Sequence, residues 1–232
     1  VLPVSDFEVT RSNRVFRVMA SDYAESTLLT RLLFKLRDEA PNITLDILTP
    51  SDVTFQDLEQ GKIDMAVNRF DRLPQSFHQA TVWRDSFSCL MSSENKALEN
   101  FDMEAFLAAP HIWVSKTGMG VGRGMSHRDS QRLGWVDEAL AEVGHERQIR
   151  VFTRHYQVAA LLARHPDLIA TLPTQVAKLY ADDSRLAVRK PPFMIIPIEL
   201  KLAWSPLLQH DPGHIWLRRR IVDMGQEMIE HG

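Results

Sequence analysis

The chain has 232 residues and a formal net charge of -3, with 44% hydrophobic and 25% charged residues, a composition typical of a globular protein. The slightly acidic balance argues against a chain that grips DNA or RNA by itself, because neutralising phosphates needs a concentrated basic face. No stretch approaches the roughly 20 apolar residues of a membrane helix. The single cysteine, Cys89, excludes an internal disulfide and fits a reducing compartment, so we expect a cytoplasmic protein. We interpret Cys89 as a small buried hydrophobic residue.

The first predicted elements form a strand–helix–strand unit. Val15–Ala20 mixes β-branched and aromatic residues, as a strand with a buried face does. Asp22, followed three residues later by Glu25, predicts a capping box, and five leucines between residues 28 and 36 recur at helical spacing. Ile43–Ile47 alternates apolar and polar residues and predicts a second strand. In sheets built from such units, small ligands lie beyond the carboxyl ends of the strands, near helix N-termini.

Strands and helices continue to alternate, which predicts an α/β fold with mostly parallel sheets. The further predicted strands are Asp64–Phe70, His78–Met91, Ile112–Ser115, Ile149–Thr153, Leu168–Leu172, Leu186–Val188 and Ile195–Ala203. The further predicted helices are Thr54–Gln60, Met103–Leu107, Trp135–Val143, Gln157–Arg164, Thr174–Tyr180 and Ile215–Ile229.

Two segments divide these elements into two lobes. The long extended run His78–Met91, which is interrupted at Trp83-Arg84-Asp85, and the pair Pro191-Pro192 are typical of places where a chain passes from one lobe to another. The chain also lacks an initiator Met, and we interpret it as a fragment of a longer protein. We assign residues 1–13 to the remnant of a linker, residues 14–87 and 192–232 to lobe I, and residues 88–191 to lobe II.

Motifs for catalysis and for metal or nucleotide binding are weak. The glycine-rich loop Gly118–Gly124 contains no GxGxxG in register and no P-loop lysine, so we predict a loop over a cleft or on the surface. The nine histidines are scattered without an HExxH motif, and there is no GxSxG nucleophile elbow. These features favour binding over catalysis, and we expect no metal and no cofactor. An enzyme on the same scaffold stays an alternative, which would need a catalytic cluster in the cleft.

Polar residues at predicted strand ends are the candidate binding residues. Between two α/β lobes such residues would line the mouth where a small molecule is held. Each also has a plain alternative role as a helix cap or turn residue. We expect Ser21 and Thr117 near the surface of the cleft, so that their Ala variants still fold. The candidate small-molecule-binding residues are Ser21, Asp22, Thr49 and Asn68 in lobe I, and Ser115, Thr117, Thr153, His155 and Pro173 in lobe II.

The order and spacing of several stretches resemble the effector-binding domain of LysR-type transcriptional regulators. The resemblance runs from Arg14 to Ile229 and is carried by FRVMASDYAESTLLTRLLFKLRDEAPNITLDI, DLEQGKIDMAVNRF, HIWVSKTG, LIATLPTQVA and WSPLLQHDPGHIWLRRRI. The last stretch and the VSKTG segment look most like the branch of nodulation and aromatic-degradation regulators. Where that branch commonly has Trp-His-Pro-Arg, this chain has Trp204-Ser205-Pro206-Leu207. No role of that His or Arg is therefore carried over.

The resemblance implies a type II periplasmic-binding-protein-like fold, in which two α/β lobes are joined by two crossing strands and a small-molecule effector binds in the cleft between them. It implies that DNA is bound only through an N-terminal winged helix-turn-helix, which is missing from these residues. It also implies a homodimer, or a tetramer in the full-length protein, with the Thr27–Ala40 helix and the Ile43–Leu48 strand as candidate pairing edge. A carboxylate is the family's common effector, but Glu25 near the helix start opposes an anion, so we expect a neutral or zwitterionic one.

A solute-binding protein of a transport system shares this fold and is the alternative function. It would need a secretion signal, and the residues before Arg14 have no apolar core of the signal-peptide type. The upstream coding sequence would separate the two functions, since a regulator carries a helix-turn-helix there and a transported-solute receptor carries a signal peptide.

Overall fold

A computed structural model describes residues 7–70, 73–114 and 134–230. Contacts group these residues into two compact units: unit 1 holds the described residues up to Arg84 and from Glu199, and unit 2 holds those from Asp85 to Ile198. The sequence indicated passages after residues 87 and 191, whereas the contacts place them after residues 84 and 198. The segment that follows the two prolines stays with unit 2 because Phe193 packs edge-on against Phe106, with ring centroids 5.1 Å apart.

The described residues contain ten strands and eight α-helical segments. The strands are β1 (Val15–Ala20), β2 (Thr44–Leu48), β3 (Met65–Asn68), β4 (His78–Asp85), β5 (Phe87–Ser92), β6 (Pro110–Val114), β7 (Gln148–Thr153), β8 (Ile169–Pro173), β9 (Leu186–Arg189) and β10 (Ile198–Trp204). The helices are α1 (Asp22–Ala24), α2 (Thr30–Glu39), α3 (Phe55–Glu59), α4 (Met103–Ala108), α5 (Trp135–Glu142), α6 (Tyr156–Leu162), α7 (Thr174–Lys178) and α8 (Pro212–Glu230). No described helix is long and apolar enough to cross a membrane.

Unit 1 is built on a five-stranded sheet in the order β2-β1-β3-β10-β4. The strands β2, β1 and β3 are parallel, and β10 runs antiparallel to β3. In β1 the side chains of Phe16 and Val18 are buried while Arg17 is exposed, which is the alternation expected of a strand. A core cluster that includes Met19, Leu58 and Phe77 packs α3 against the sheet.

The helix after β1 begins differently from the sequence-based prediction. The capping residue is Ser21 rather than Asp22, because Ser21 keeps an extended backbone and its Oγ accepts the N–H of Ala24 at 3.4 Å. No capping box forms at Glu25. Between α1 and α2 the residues Glu25–Leu29 form a π-helical turn. Hydroxyls of this turn bond backward, since Thr27 Oγ1 donates to the carbonyl of Tyr23 at 2.6 Å, a contact that distorts helices.

Unit 2 repeats the plan with a sheet in the order β7-β6-β8-β5-β9. The strands β7, β6 and β8 are parallel, while β5 runs antiparallel to both β8 and β9. The extended run predicted at residues 78–91, with an interruption at residues 83–85, is two strands, β4 and β5, and the break between them falls at Ser86. Each sheet therefore combines three adjacent parallel strands with one antiparallel strand, β10 in unit 1 and β5 in unit 2. The alternation of elements predicted mostly parallel sheets and did not indicate these antiparallel strands.

Candidate functional site

Strand ends and a helix start meet at one edge of the unit 1 sheet. In the parallel register, Met19 of β1 lies beside Leu48 of β2, and Ala20 lies beside Val67 of β3. The residues that follow at this edge are the predicted site residues Ser21, Thr49 and Asn68, and Asp22 begins the helix. The carboxyl edge of parallel strands beside a helix N-terminus is where α/β sheets bind small molecules.

Asn68 is a buried residue at this edge, and its side-chain amide is hydrogen-bonded through its oxygen but not through its nitrogen among the described residues. It is 2% exposed, and its Oδ1 accepts the backbone N–H of Arg69 at 2.9 Å. That bond fixes the orientation of the amide, because a flipped side chain would set two donors against each other. Its Nδ2 has no hydrogen-bond partner within the described ranges. A buried amide donor is thus free to bind an acceptor.

The other predicted residues of unit 1 have local roles. Ser21 is only 2% exposed, so the expectation that it lies near a surface is wrong; its hydroxyl is turned inward to cap the helix. Asp22 is half-buried in the first helical turn. Thr49 is exposed, and its Oγ1 bonds to Ser51 Oγ at 2.9 Å and to Asp52 Oδ2 at 2.8 Å.

A buried aromatic pair braces this helix start and was missed from the sequence. Trp83 of β4 donates its indole N–H to Tyr23 Oη at 2.8 Å, and the two side chains are nearly inaccessible. The ring centroids lie 6.1 Å apart. Sixty positions separate the two residues, so no local pattern links them. This hydrogen bond ties Tyr23, the residue after Asp22, to strand β4 of the sheet.

In unit 2, three of the predicted residues also lie at the carboxyl edge. Thr153 ends β7, and its Oγ1 accepts the backbone N–H of His155 at 3.3 Å. His155 is exposed and directly precedes α6 without a capping bond from its side chain. Pro173 is buried and joins β8 to α7. The predicted residues Ser115 and Thr117, and the loop Gly118–Gly124, lie outside the described residues.

A buried ion pair lies near this edge, and the sequence analysis did not predict it. Asp137, in the first turn of α5, receives Arg147 Nε and Nη2 on its two oxygens, each at 2.8 Å. The two side chains are 6% and 3% exposed. Arg147 Nη1 has no partner in the part of the chain that the structure describes. The pair borders a cavity of about 20 Å³, which Phe87, Trp113, Val114, Trp135, Val136, Tyr156 and Thr171 also line.

Two titratable groups near Arg147 are held neutral. Burial raises the pKa of the Cys89 thiol to about 12, so Cys89 is an inert core residue, as the sequence predicted. Burial and the Arg147 cation lower the pKa of His111 to about 3. Nε2 of His111 donates to the carbonyl of Phe106 at 2.6 Å. Both groups are therefore structural at neutral pH.

A metal site finds little support in the described residues. They hold no group of three or more His, Cys, Asp or Glu side chains that could bind a metal ion. His210 and His214 are four residues apart on the chain, a spacing that metal sites use. However, the ring of His214 already bonds to the carbonyl of Asp64 at 2.8 Å and to Arg218 Nη1 at 3.1 Å.

Comparisons with known proteins identify relatives along most of the chain. The LysR substrate binding domain family matches residues 10–226. The HTH-type transcriptional regulator LinR of Sphingobium indicum is 30% identical over 214 residues, which is 92% of this chain and 67% of LinR. The HTH-type transcriptional regulator SyrM 1 of Sinorhizobium fredii is 31% identical over 208 residues, which is 89% of this chain but 57% of SyrM 1.

A solved structure agrees with these relatives. The regulatory domain of MexT, a transcriptional activator in Pseudomonas aeruginosa, is 29% identical and superposes with a TM-score of 0.75 over 92% of this chain and 98% of that domain. Nodulation proteins D are among the further relatives, which confirms the branch that the sequence indicated. A transport receptor is not favoured, because the matched relatives are transcriptional regulators. The chain therefore belongs to the LysR substrate-binding domain family, the effector-binding domain of LysR-type transcriptional regulators.

Proposed function

We propose that this domain binds an uncharged or zwitterionic small-molecule effector at the carboxyl edges of its sheets and has no catalytic role. A ligand that binds one conformation more tightly than another shifts their populations, and this shift would regulate DNA binding by a domain outside this chain. We also propose that the protein is cytoplasmic. Membership of the family supports the regulatory role, and the free amide donor of Asn68 supports the position of the site.

Asn68 supports the position of the site because a buried donor without an acceptor is energetically unfavourable. A buried amide without an acceptor loses about 1–3 kcal/mol of hydration, a cost that a ligand oxygen would remove. The donor lies at the level of Ser21, where the positive end of the helix dipole also favours electron-rich groups. Asp22 and Glu25 in the first turns add negative charge, so a free anion is disfavoured there.

The remaining predicted residues complete the proposal. Thr49 belongs to the same edge of unit 1, and Thr153, His155 and Pro173 form the corresponding edge of unit 2. Ser115 and Thr117 stay candidates by their place in the sequence. Thr153 would offer a hydroxyl and His155 an exposed imidazole to a polar ligand, while the buried Pro173 would shape this edge from beneath.

The first experiment identifies an effector and then tests Asn68. A metabolite panel is screened by thermal shift, since a ligand that binds only the native state raises the melting temperature. Each hit is then titrated calorimetrically into wild type and Asn68→Ala. We expect the variant to bind about threefold to tenfold more weakly, because one hydrogen bond contributes about 0.5–1.5 kcal/mol. Unchanged affinity in a folded Asn68→Ala protein would place the site elsewhere.

Ser21 needs a matched control because it caps a helix. Ser21→Ala should lower the free energy of unfolding by about 0.5–2 kcal/mol through loss of the cap. Thr54→Ala removes a comparable cap at α3, where Thr54 accepts the N–H of Asp57 at 3.1 Å. We expect both variants to be destabilised and only Ser21→Ala to bind the effector more weakly. Equal affinities in the two variants would limit Ser21 to a structural role.

We also propose that the chain forms a homodimer through α2 and β2. LysR-type regulators are oligomeric, and α2 exposes Phe34, whose relative accessibility is 80%. A large aromatic side chain that points to solvent from a surface helix marks a candidate protein interface. In the full-length protein this dimer could form part of a tetramer.

A further inference from the structure

A groove in unit 1 lies between the segment that precedes β1 and the first turns of α8. Its floor is apolar, because Phe7, Ile215 and Trp216 line it, each of them half-buried. The rings of Phe7 and Trp216 pack with their centroids 5.5 Å apart. The volume of about 350 Å³ lies within the roughly 300–1,000 Å³ that small-molecule pockets occupy. This feature, the α8 groove, therefore has room for an aromatic ring that carries a short polar chain.

The α8 groove lies at the opposite end of β1 from the proposed effector residues. Phe7 packs edge-on against Phe16, the second residue of β1, with ring centroids 6.4 Å apart. Ser21, in contrast, follows the last residue of that strand. A strand rises about 3.3 Å per residue, so roughly 16 Å separates the two ends of β1. The α8 groove is therefore separate from the carboxyl edge of the sheet.

Two opposite charges at the rim of the α8 groove have no ion-pair partner in the described part of the chain. They are Arg219 and Asp223, which line the groove and are exposed. The two residues are four positions apart on α8, and a basic residue placed before an acidic one is the weaker order for a helical ion pair. The rim thus presents one cation and one anion that a ligand can reach.

The three consecutive arginines of α8 have different partners, which explains why only the middle one is available. Arg218 is turned inward, since its Nη2 donates to the carbonyl of Gln209 at 2.9 Å and its guanidinium lies over the Trp204 ring. Arg220 is paired, with Nη2 3.0 Å from a carboxylate oxygen of Glu39. Of these three cations, Arg219 is the one left to bind a ligand anion at the rim.

We propose that the α8 groove binds an aromatic zwitterion of the amino-acid class, with its ring on Trp216, its carboxylate at Arg219 and its ammonium group at Asp223. A zwitterion satisfies both rim charges, whereas a simple acid or amine leaves one of them without a partner. The inference goes beyond the proposed function, because it adds a second ligand site at the other end of the sheet. A molecule bound there also contacts Phe7 and ties the segment before β1 to α8.

The geometry of the helix suits the two charges of an amino acid. Residues four apart on a helix have Cβ atoms about 5–6 Å from each other, so their side chains can converge on one small molecule. Exposed ion pairs are weak, and each should change the affinity by about twofold to fivefold. The aromatic ring supplies the larger part of the binding through its contact with the apolar floor.

Three phenyl compounds test the assignment of the charges. L-phenylalanine carries both groups, 3-phenylpropanoate lacks the ammonium group, and 2-phenylethylamine lacks the carboxylate. Each is titrated at millimolar concentration into the ¹⁵N-labelled 232-residue chain, and indole N–H signals are followed by NMR. Trp216 reports the α8 groove, while Trp83, Trp113, Trp135 and Trp204 do not line it and serve as internal controls.

We expect all three compounds to shift the Trp216 signal, with L-phenylalanine bound about twofold to fivefold more tightly than either analogue. Absence of a Trp216 shift with L-phenylalanine overturns the inference, and so does equal affinity for the three compounds. A Trp216 signal that moves with protein concentration and not with L-phenylalanine would show that a second copy of the chain covers the groove, which also overturns it.

Two variants assign each charge to its partner. Arg219→Gln should weaken L-phenylalanine and 3-phenylpropanoate but not 2-phenylethylamine, whereas Asp223→Asn should weaken L-phenylalanine and 2-phenylethylamine but not 3-phenylpropanoate. The matched controls Arg31→Gln and Asp182→Asn remove exposed charges outside the groove and should bind like wild type. Circular dichroism establishes that the variants are folded, as expected for exposed positions. Loss of all three compounds in either variant, or of none, contradicts the proposed contacts.

Failure of this inference can be told apart from failure of the proposed function. The Asn68→Ala variant tests the carboxyl edge of the sheet, and Arg219→Gln tests the opposite end. If an effector depends on Asn68 while L-phenylalanine leaves Trp216 unchanged, the proposed function stands and the α8 groove is not a ligand site.

Discussion

Gly225 of α8 lies against Val82 of β4 at a point where a side chain has no space. A Cβ atom added at Gly225 would be 2.4 Å from Val82 Cγ1 and 2.9 Å from the Val82 carbonyl oxygen. The first contact can be relieved by movement of the Val82 side chain. The second cannot, because the oxygen belongs to the backbone of the strand. We therefore predict that Gly225→Ala forces α8 away from β4.

The size of the effect follows from two opposed contributions. In a helix interior, Ala is favoured over Gly by about 1 kcal/mol. Overpacking of a filled core costs about 1–3 kcal/mol, and contact with backbone atoms places this site in the upper part of that range. We expect a net loss of about 1–2 kcal/mol in the free energy of unfolding. For a chain of this size that corresponds to a fall of roughly 2–8 °C in the melting temperature.

Gly213 of the same helix supplies the matched control. A Cβ at Gly213 would meet Arg14 Nη1, which is paired with Asp211, at 2.7 Å and ring carbons of Phe7 at 3.0 Å, so the crowded atoms belong to side chains and not to the backbone. Because side chains can adjust where a backbone carbonyl cannot, Gly213→Ala should lower the free energy of unfolding by less than Gly225→Ala does. Urea unfolding followed by circular dichroism compares the two variants with wild type. A Gly225→Ala protein as stable as wild type, or less affected than Gly213→Ala, would refute the packing argument.

Three further predictions concern buried charge, pH and association. Asp137→Leu leaves Arg147 as a buried unpaired cation and should lower the free energy of unfolding by about 3–5 kcal/mol. The double variant Asp137→Leu with Arg147→Met removes the buried charge and should recover most of this loss. Equal stabilities of the single and double variants in urea unfolding would contradict this prediction. Burial lowers the pKa of His111 to about 3, below the 6.5 of an unfolded histidine. The unfolded chain then binds a proton that the folded chain does not, so stability should fall by about 1.4 kcal/mol per pH unit as the pH drops from 6.5 toward 3. His111→Gln should show a shallower decline in melting temperature between pH 7 and pH 4.5, and parallel declines would rule out this group as the cause. Phe34→Ser should weaken the homodimer at least tenfold by sedimentation while leaving monomer stability within about 0.5 kcal/mol, and an unchanged dimer would exclude α2 from the interface.

Local rules were sufficient for many elements of the fold. The strand β1 was predicted at Val15–Ala20 and is observed there. The short helix α3 was predicted at Thr54–Gln60 and is observed at Phe55–Glu59, where Thr54 forms a capping box and Gly61 takes a positive φ of 69° after the helix. These features depend on the spacing of hydrophobic residues, on hydroxyl caps and on the conformational freedom of glycine. All three are set by residues that are close together in the sequence.

Choices between similar neighbours were less certain. Ser21 and Asp22 are about equally good capping residues, and the sequence indicated Asp22. Once β1 is seated in the sheet, Ala20 is its last residue and the chain turns into the helix at Ser21, which therefore becomes the cap. The strand ends that line up Ser21, Thr49 and Asn68 followed from the parallel pattern. The parallel pattern did not reveal that, of these three residues, Asn68 has a buried donor without a partner in the described part of the chain.

Only the tertiary structure decided which distant residues pair. Trp83 bonds to Tyr23 across 60 positions, Gly225 packs on Val82, and Arg147 selects Asp137 although the helix of Asp137 also carries Glu138. Each partner is chosen by the register of strands and by the seating of helices, which set the distances between atoms far apart on the chain. The sequence by itself determined the family and the order of most elements, and it predicted the carboxyl edge of each sheet as the candidate ligand site. The donors available at that edge were decided by packing, because whether a polar atom is satisfied depends on every group that folding brings around it.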